Sequence, residues 1–167
     1  MKIRISGIES ESIVDGPGFR YVVFTQGCFH NCLGCHNPQT HDPSKGYFME
    51  IDDIIKEMKK NPLLRGVTLS GGEPFLQPKE CSEIAKRVKE LKMNVICYTG
   101  YRLEELLELK KNNSDVEDLL NNIDILIDGR FILSERDLTL KFRGSRNQRI
   151  IDLKETFKQN KVVEILD

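Results

Sequence analysis

Residues 27–38 read Gly27-Cys28-Phe29-His30-Asn31-Cys32-Leu33-Gly34-Cys35-His36-Asn37-Pro38, which places three cysteines at Cys-x3-Cys-x2-Cys spacing in one short loop. Three thiolates on one loop can ligate three irons of a 4Fe-4S cluster and leave the fourth iron without a protein ligand, open for chemistry. Spacing alone leaves a second reading open. Cys28, Cys32 and Cys35, with His30 or His36 as a fourth ligand, would also suit a closed structural zinc site of the Cys3His type.

The loop follows a β-rich run at residues 21–25 (YVVFT), and similar runs recur at 66–70 (GVTLS), 94–98 (NVICY) and 123–127 (IDILI). Helical spacing separates them: Ile51, Ile54, Ile55 and Met58; then Cys81, Ile84, Ala85, Val88 and Leu91; then Leu103, Leu106 and Leu107. Pro78 suits the first turn of the second helix, and Asn112, Asn113 and Ser114 should break the third before a short helical run at 116–120. This alternation predicts an α/β fold with parallel strands. A complete eight-unit barrel needs about 250 residues, so the 167 residues predict a single domain, 1–167, built as a partial, open β/α barrel with a curved, mostly parallel sheet. Residues 3–8, 149–153 and 162–165 are candidate edge strands.

Each predicted strand runs into a polar or glycine-rich turn. The cysteine loop follows the first, Gly71-Gly72-Glu73-Pro74 the second, Thr99-Gly100-Tyr101 the third, and Asp128-Gly129-Arg130 the fourth. Ligands of parallel α/β folds bind at the carboxyl ends of strands, so the four turns read as one site. A zinc ribbon would need none of the last three. The paired glycines let a ligand approach the backbone closely.

Composition narrows the function classes. A formal net charge of -1 argues against a nucleic-acid partner. No apolar run of eighteen residues occurs, and the first residues lack a signal-peptide pattern, so no membrane role and a cytoplasmic location are expected. Five cysteines, three of them crowded in one loop, do not suggest a disulfide framework; Cys81 and Cys97 lie in apolar patterns and read as buried small hydrophobes. Residues 104–124 hold seven acids against two lysines. Residues 134–150 hold five bases (Arg136, Lys141, Arg143, Arg146, Arg149) against two acids, which reads either as solvated surface or as a contact for an acidic partner.

The cysteine spacing followed by the GGE turn resembles the radical S-adenosylmethionine superfamily. The segment Asp15-Gly16-Pro17-Gly18-Phe19-Arg20 resembles its glycyl-radical activating enzymes, and Tyr98-Thr99-Gly100-Tyr101, Asp128-Gly129-Arg130-Phe131 and Arg143-Gly144-Ser145 through Asn147-Gln148-Arg149 resemble the activators of anaerobic ribonucleoside-triphosphate reductase. The matching segments span residues 14–149. One departure is His41, where that family often carries tryptophan, and it leaves the wall of the cluster loop open.

The resemblance implies a 4Fe-4S cluster on Cys28, Cys32 and Cys35, with S-adenosylmethionine contacted by Gly34, Cys35, His36, Gly71, Gly72, Glu73, Thr99, Asp128 and Arg130. It implies an electron from a flavodoxin or ferredoxin, reductive cleavage of the cofactor to methionine and a 5′-deoxyadenosyl radical, and hydrogen abstraction from a glycine of the reductase. No side chain is then required as general acid or base. Asp128-Gly129-Arg130 also reads as an ordinary tight turn, Thr99 as a strand terminator and His36 as a loop histidine, while Asp15-Gly16-Pro17-Gly18 reads equally as a turn and as a cofactor-side loop. The basic stretch around Arg143, Arg146 and Arg149 is expected to meet the reductase. The alternatives are an activator of another glycyl-radical enzyme of the formate-lyase type, which is usually a longer chain, and a non-catalytic zinc or iron-sulfur module.

Overall fold

A computed structural model describes residues 1–165. Seven strands form one sheet: β1 (Lys2–Ser12), β2 (Phe19–Thr25), β3 (Tyr47–Glu50), β4 (Leu64–Gly71), β5 (Asn94–Tyr98), β6 (Ile125–Asp128) and β7 (Arg149–Asp152). Their spatial order is β3-β1-β2-β4-β5-β6-β7. The centre, β2-β4-β5-β6, is parallel, while β1 and β7 run antiparallel to their neighbours. The open sheet agrees with the predicted fold class. Two edges differ from expectation. The N-terminal run is interior, because β3 pairs along its outer side. Residues 162–165 form only an isolated bridge, Ile151 to Glu164, beside β7.

Helices α1 (Ile51–Lys59), α2 (Pro78–Glu90), α3 (Leu103–Leu109), α4 (Ser114–Asn121) and α5 (Leu153–Gln159) complete the chain. Ile51, Ile54, Ile55 and Met58 put one stripe of α1 into the core, and Cys81, Ile84, Ala85 and Val88 do the same for α2. Each Ile, Val and Met among them contributes about 1.5–3 kcal/mol when fully buried. Strand residues alternate in register with them: Ile3, Ile5, Tyr21, Val23, Val67, Leu69, Val95, Cys97 and Leu126 join this helix-side core. The opposite face carries a smaller apolar group, Ile96, Ile127 and Ile150. Cys81 and Cys97 are both 0% exposed, as their sequence context predicts, and burial raises both thiol pKa values.

Polar side chains lock the layers at defined points. Asp124 accepts hydrogen bonds from Val95 N at 2.8 Å and Lys89 Nζ at 2.7 Å, and pairs with Lys154 at 2.9 Å, so one carboxylate ties α2 and α5 to the sheet. Burial opposes ionisation of this carboxylate, but the two lysines and the Val95 amide outweigh it and the pKa is lowered. A lowered folded-state pKa gives stability that is present above the unfolded pKa and lost as pH falls through the folded value. Asp124→Asn is therefore expected to cost about 1 kcal/mol at neutral pH. In urea titrations, that difference should shrink below about pH 4.

The segment before β2 is held from beneath. Arg20 is fully buried on the face opposite the helices; its Nε donates to Thr68 Oγ1 at 2.7 Å and one Nη to Val67 O at 2.8 Å. Thr68 Oγ1 in turn donates to Asp15 O at 2.8 Å. Burial lowers the guanidinium pKa to about 10, which leaves it charged at neutral pH. Gly16 is obligatory here: its φ is +138°, and a Cβ would lie 2.6 Å from Arg20 Cδ and from Ile96 Cδ1. The residues DGPGFR thus form one unit that delivers Asp15 to the end of the sheet.

Candidate active site

The parallel strands end in register, with Thr25 of β2 opposite Gly71 of β4, Leu69 of β4 opposite Cys97 of β5, and Tyr98 of β5 opposite Ile127 of β6. Their following turns therefore meet around one open cavity of about 390 Å³. Cys28, Cys32, Cys35, His36, Gly71, Gly72 and Thr99 line it, as do Asp15, His41, Phe131, Arg143 and Gln148. The sequence expectation of one site at four strand ends matches this placement. Gly34, Glu73, Asp128 and Arg130 do not line the cavity.

The cysteine loop is clamped to the sheet through its ends. Gly27 N donates to Thr40 O at 2.6 Å, Cys28 N to His41 O at 3.0 Å, and Gln26 Nε2 to Gln39 O and Asp42 O at 3.0 and 2.8 Å. Cys28, Cys32 and Cys35 are half-buried and free. Burial pushes the Cys28 thiol up to about 11, partly offset by a hydrogen bond from the His30 backbone. Gly34, with φ +77°, supplies the left-handed residue between the second and third cysteines.

The GGE turn is fastened to that loop by Gly72 N donating to Thr25 O at 2.8 Å and Glu73 N to Gly27 O at 2.7 Å. A Cβ on Gly72 would stand 2.3 Å from Gly27 O and 3.0 Å from Thr25 O, and one on Gly71, whose φ is +87°, 2.6 Å from the Phe24 backbone. The glycines therefore admit the cysteine loop as well as exposing backbone to the cavity. Gly72→Ala should lose about 1–3 kcal/mol by overpacking. It should also displace Cys28, so anaerobic iron loading should fall with stability; full loading at unchanged stability would contradict this packing.

Glu73 is 1% exposed, and its carboxylate already has protein donors on both oxygens. Oε1 accepts from His30 Nε2 at 2.7 Å, Gly100 N at 2.8 Å and Thr99 Oγ1 at 2.8 Å; Oε2 accepts from Phe75 N at 2.9 Å and Thr99 Oγ1 at 2.9 Å. Glu73 therefore joins three turns and does not face the cavity as the sequence led us to expect. His30 packs edge-on to Tyr101, with ring centroids 4.8 Å apart. Asp128, 1% exposed, accepts from Leu103 N at 2.8 Å and from Arg149 at 3.0 and 2.5 Å, capping the α3 start. Arg130 is exposed and pairs with Glu105 at 3.3 Å. His36 is exposed at the cavity edge, its ring 5.1 Å from that of Phe131.

The basic stretch divides. Arg149 is engaged by Asp128 and Glu104, which raise its pKa, so it is withdrawn from any docking surface. Arg143 is half-buried in the cavity wall, and Arg146 is exposed. Gln148, to which the sequence assigned no role, clasps the last two turns: Oε1 accepts from Gly144 N at 2.8 Å and Ser145 N at 3.2 Å, while Nε2 donates to Gly129 O at 3.0 Å. Its only sequence signal was membership of the segment Asn147-Gln148-Arg149. Asp15, from the segment read equally as a turn and as a cofactor-side loop, and His41, whose position left the wall of the cluster loop open, both line the cavity.

The donor set fits a cluster with one open position. Three thiols on one loop line a cavity that also exposes the Gly71-Gly72 backbone, and the remaining two cysteines are sealed in the core. A closed zinc site fits less well: His30 is bonded to Glu73, and the His36 ring packs beside Phe131.

Comparison with known proteins agrees with this chemistry. The family model described as a 4Fe-4S single cluster domain matches residues 14–151. The anaerobic ribonucleoside-triphosphate reductase-activating protein of Vibrio cholerae is 38% identical over 145 residues, 81% of this chain and 89% of that protein. The chain belongs to the 4Fe-4S single cluster domain family and to the reductase-activating proteins within reach of that identity. Another reductase-activating protein, from Enterobacteria phage T4, is 33% identical over 82% of this chain and 86% of its own length. The pyruvate formate-lyase-activating enzyme of Staphylococcus epidermidis is 32% identical over 90% of this chain but only 61% of its own length. Among the described residues, no helix is long and apolar enough to cross a membrane.

Proposed function

We propose that this chain activates an anaerobic ribonucleoside-triphosphate reductase by generating a glycyl radical on it. The carrying observation is the convergence of three loop thiols and the Gly71-Gly72 backbone on one open cavity, in a chain whose relatives bear that activity in their names. Cys28, Cys32 and Cys35 would hold a 4Fe-4S cluster, and the glycine turn would receive the methionyl end of S-adenosylmethionine, with His36 and Phe131 beside its far end. When bound, these groups supply one-electron cleavage of the sulfonium and a 5′-deoxyadenosyl radical able to take hydrogen from a glycine. The chain's own residues position and shield. Glu73 fixes the cysteine loop, the glycine turn and Thr99 relative to one another; Gln148 and Asp128 fix the turn after β6; Gly34 shapes the loop; Arg130 steadies α3 through Glu105.

A backbone glycine of another protein can be reached only through an open mouth, which this cavity has. The electron donor is a flavodoxin or ferredoxin in this reading, and a reducing cytoplasm suits a site built on free thiols. Arg146, an exposed base two residues from the cavity-lining Gly144 and Gln148, is the candidate for contact with the reductase. Arg146→Glu should lower the association rate severalfold at low salt, with the difference closing at high salt, while cleavage of S-adenosylmethionine by reductant alone is retained. Equal association across a salt titration would return Arg146 to an ordinary surface role.

The formate-lyase-type alternative rests on a relative matched over less of its length. The two are separated by offering the loaded protein either glycyl-radical enzyme under anaerobic conditions. Activation of the reductase alone is expected; activation of a formate lyase alone would overturn the proposal.

A further inference from the structure

His41 stands against the third cysteine of the loop. Its Nε2 lies 3.4 Å from Cys35 Sγ, and the Asn37 backbone N–H donates to the same sulfur, also at 3.4 Å. The backbone of His41 is held at both its N–H and its C=O. His41 N donates to Pro38 O at 3.2 Å, and His41 O accepts from Cys28 N at 3.0 Å, so the residue is stitched to the beginning of the cysteine loop by its backbone and to the end by its side chain. It is half-buried and lines the cavity.

We propose that His41 sets the reduction potential of the site by donating a hydrogen bond from Nε2 to the Cys35 sulfur. This rests on the cluster assignment made above. A cysteine ligated as thiolate has no proton to give, so at this contact the ring nitrogen is the donor. Reduction adds negative charge that is shared by the ligating sulfurs, and a donor aimed at one of them stabilises the reduced form more than the oxidised form. Hydrogen bonds to the sulfurs are among the factors that set such potentials. With two donors, Cys35 is the most strongly assisted of the three sulfurs in this arrangement, and only the His41 donor is open to substitution without altering the backbone. His41 is thus a tuning residue that eases arrival of the electron and is not itself a catalytic one.

The test uses the whole chain, anaerobically reconstituted with iron and sulfide, as wild type, His41→Phe and His41→Gln. Midpoint potentials are read by redox titration monitored by electron paramagnetic resonance, with iron and sulfide content measured alongside. His41→Phe keeps an aromatic ring but no N–H donor, and should shift the one-electron reduction equilibrium about tenfold toward the oxidised form, or ~59 mV to more negative potential. His41→Gln keeps an N–H donor and should recover part of that shift. A His41→Phe shift below about threefold, or one to more positive potential, overturns the inference. If His41→Phe does not load, a His41→Gln potential below the wild-type value supports it and one equal to or above that value overturns it; failure of both to load would make His41 an assembly residue and overturn it too. The readout is separate from activation. A potential that moves as stated in a protein unable to activate the reductase defeats the proposed function alone, whereas an active wild type with an unmoved His41→Phe potential defeats this inference alone.

Discussion

Alanine at Cys28, Cys32 or Cys35 is expected to abolish loading of the 4Fe-4S cluster and, with it, all activation of the reductase. Each removal leaves two thiols at the cavity, and no other thiol can replace the lost one: Cys81 and Cys97 are 0% exposed in the core between sheet and helices. Cys81→Ala and Cys97→Ala should retain full iron and lose about 1 kcal/mol of stability each through small cavities. Anaerobic iron and sulfide determination separates the two groups. Normal iron content in Cys32→Ala would remove the ligand assignment.

The second large effect belongs to Glu73. Glu73→Ala takes the acceptor from the His30 ring, the Thr99 hydroxyl and the amides of Gly100 and Phe75, around a carboxylate that is itself 1% exposed. Stranding several buried donors should cost on the order of 3–5 kcal/mol. The loss also disconnects the cysteine loop from the turn after β5, because His30 is the loop's bridge to that carboxylate. Denaturant unfolding should therefore show the full loss, and cluster loading should fall in step. A variant within about 1 kcal/mol of wild type would mean that the three turns are held together by something else.

The parts legible in the sequence were those set by local pattern. The run at 94–98 became β5 with both ends as expected, because Asn94 and the turn at Thr99 bracket an apolar stretch that alternates between faces. The cysteines and paired glycines were legible because spacing and the lack of side chains carry their chemistry directly. Strand β3 was not legible: Tyr47 and Phe48 are exposed, and its existence depends on pairing with β1, over forty residues away. That pairing also moved the N-terminal run from the edge to the interior. Helix α5 is short, and its one local sign was Asp152, whose side chain accepts from Glu155 N at 3.0 Å. The site carboxylates show the same limit. Asp128 and Glu73 stand in turns that face the ligand side, yet distant partners, Arg149 and Leu103 for one and His30, Thr99 and Gly100 for the other, turn both carboxylates into the protein.

The central claim is that a cluster held by one loop at the strand ends serves radical transfer to another protein's glycine. It is tested most directly by incubating the anaerobically loaded chain with S-adenosylmethionine, a one-electron reductant and the reductase, and recording the electron paramagnetic resonance of the reductase. A glycyl-radical signal should arise that requires all four components, is accompanied by 5′-deoxyadenosine, and is lost with Cys32→Ala. A fully loaded wild-type protein that cleaves S-adenosylmethionine yet leaves no radical on the reductase would contradict it.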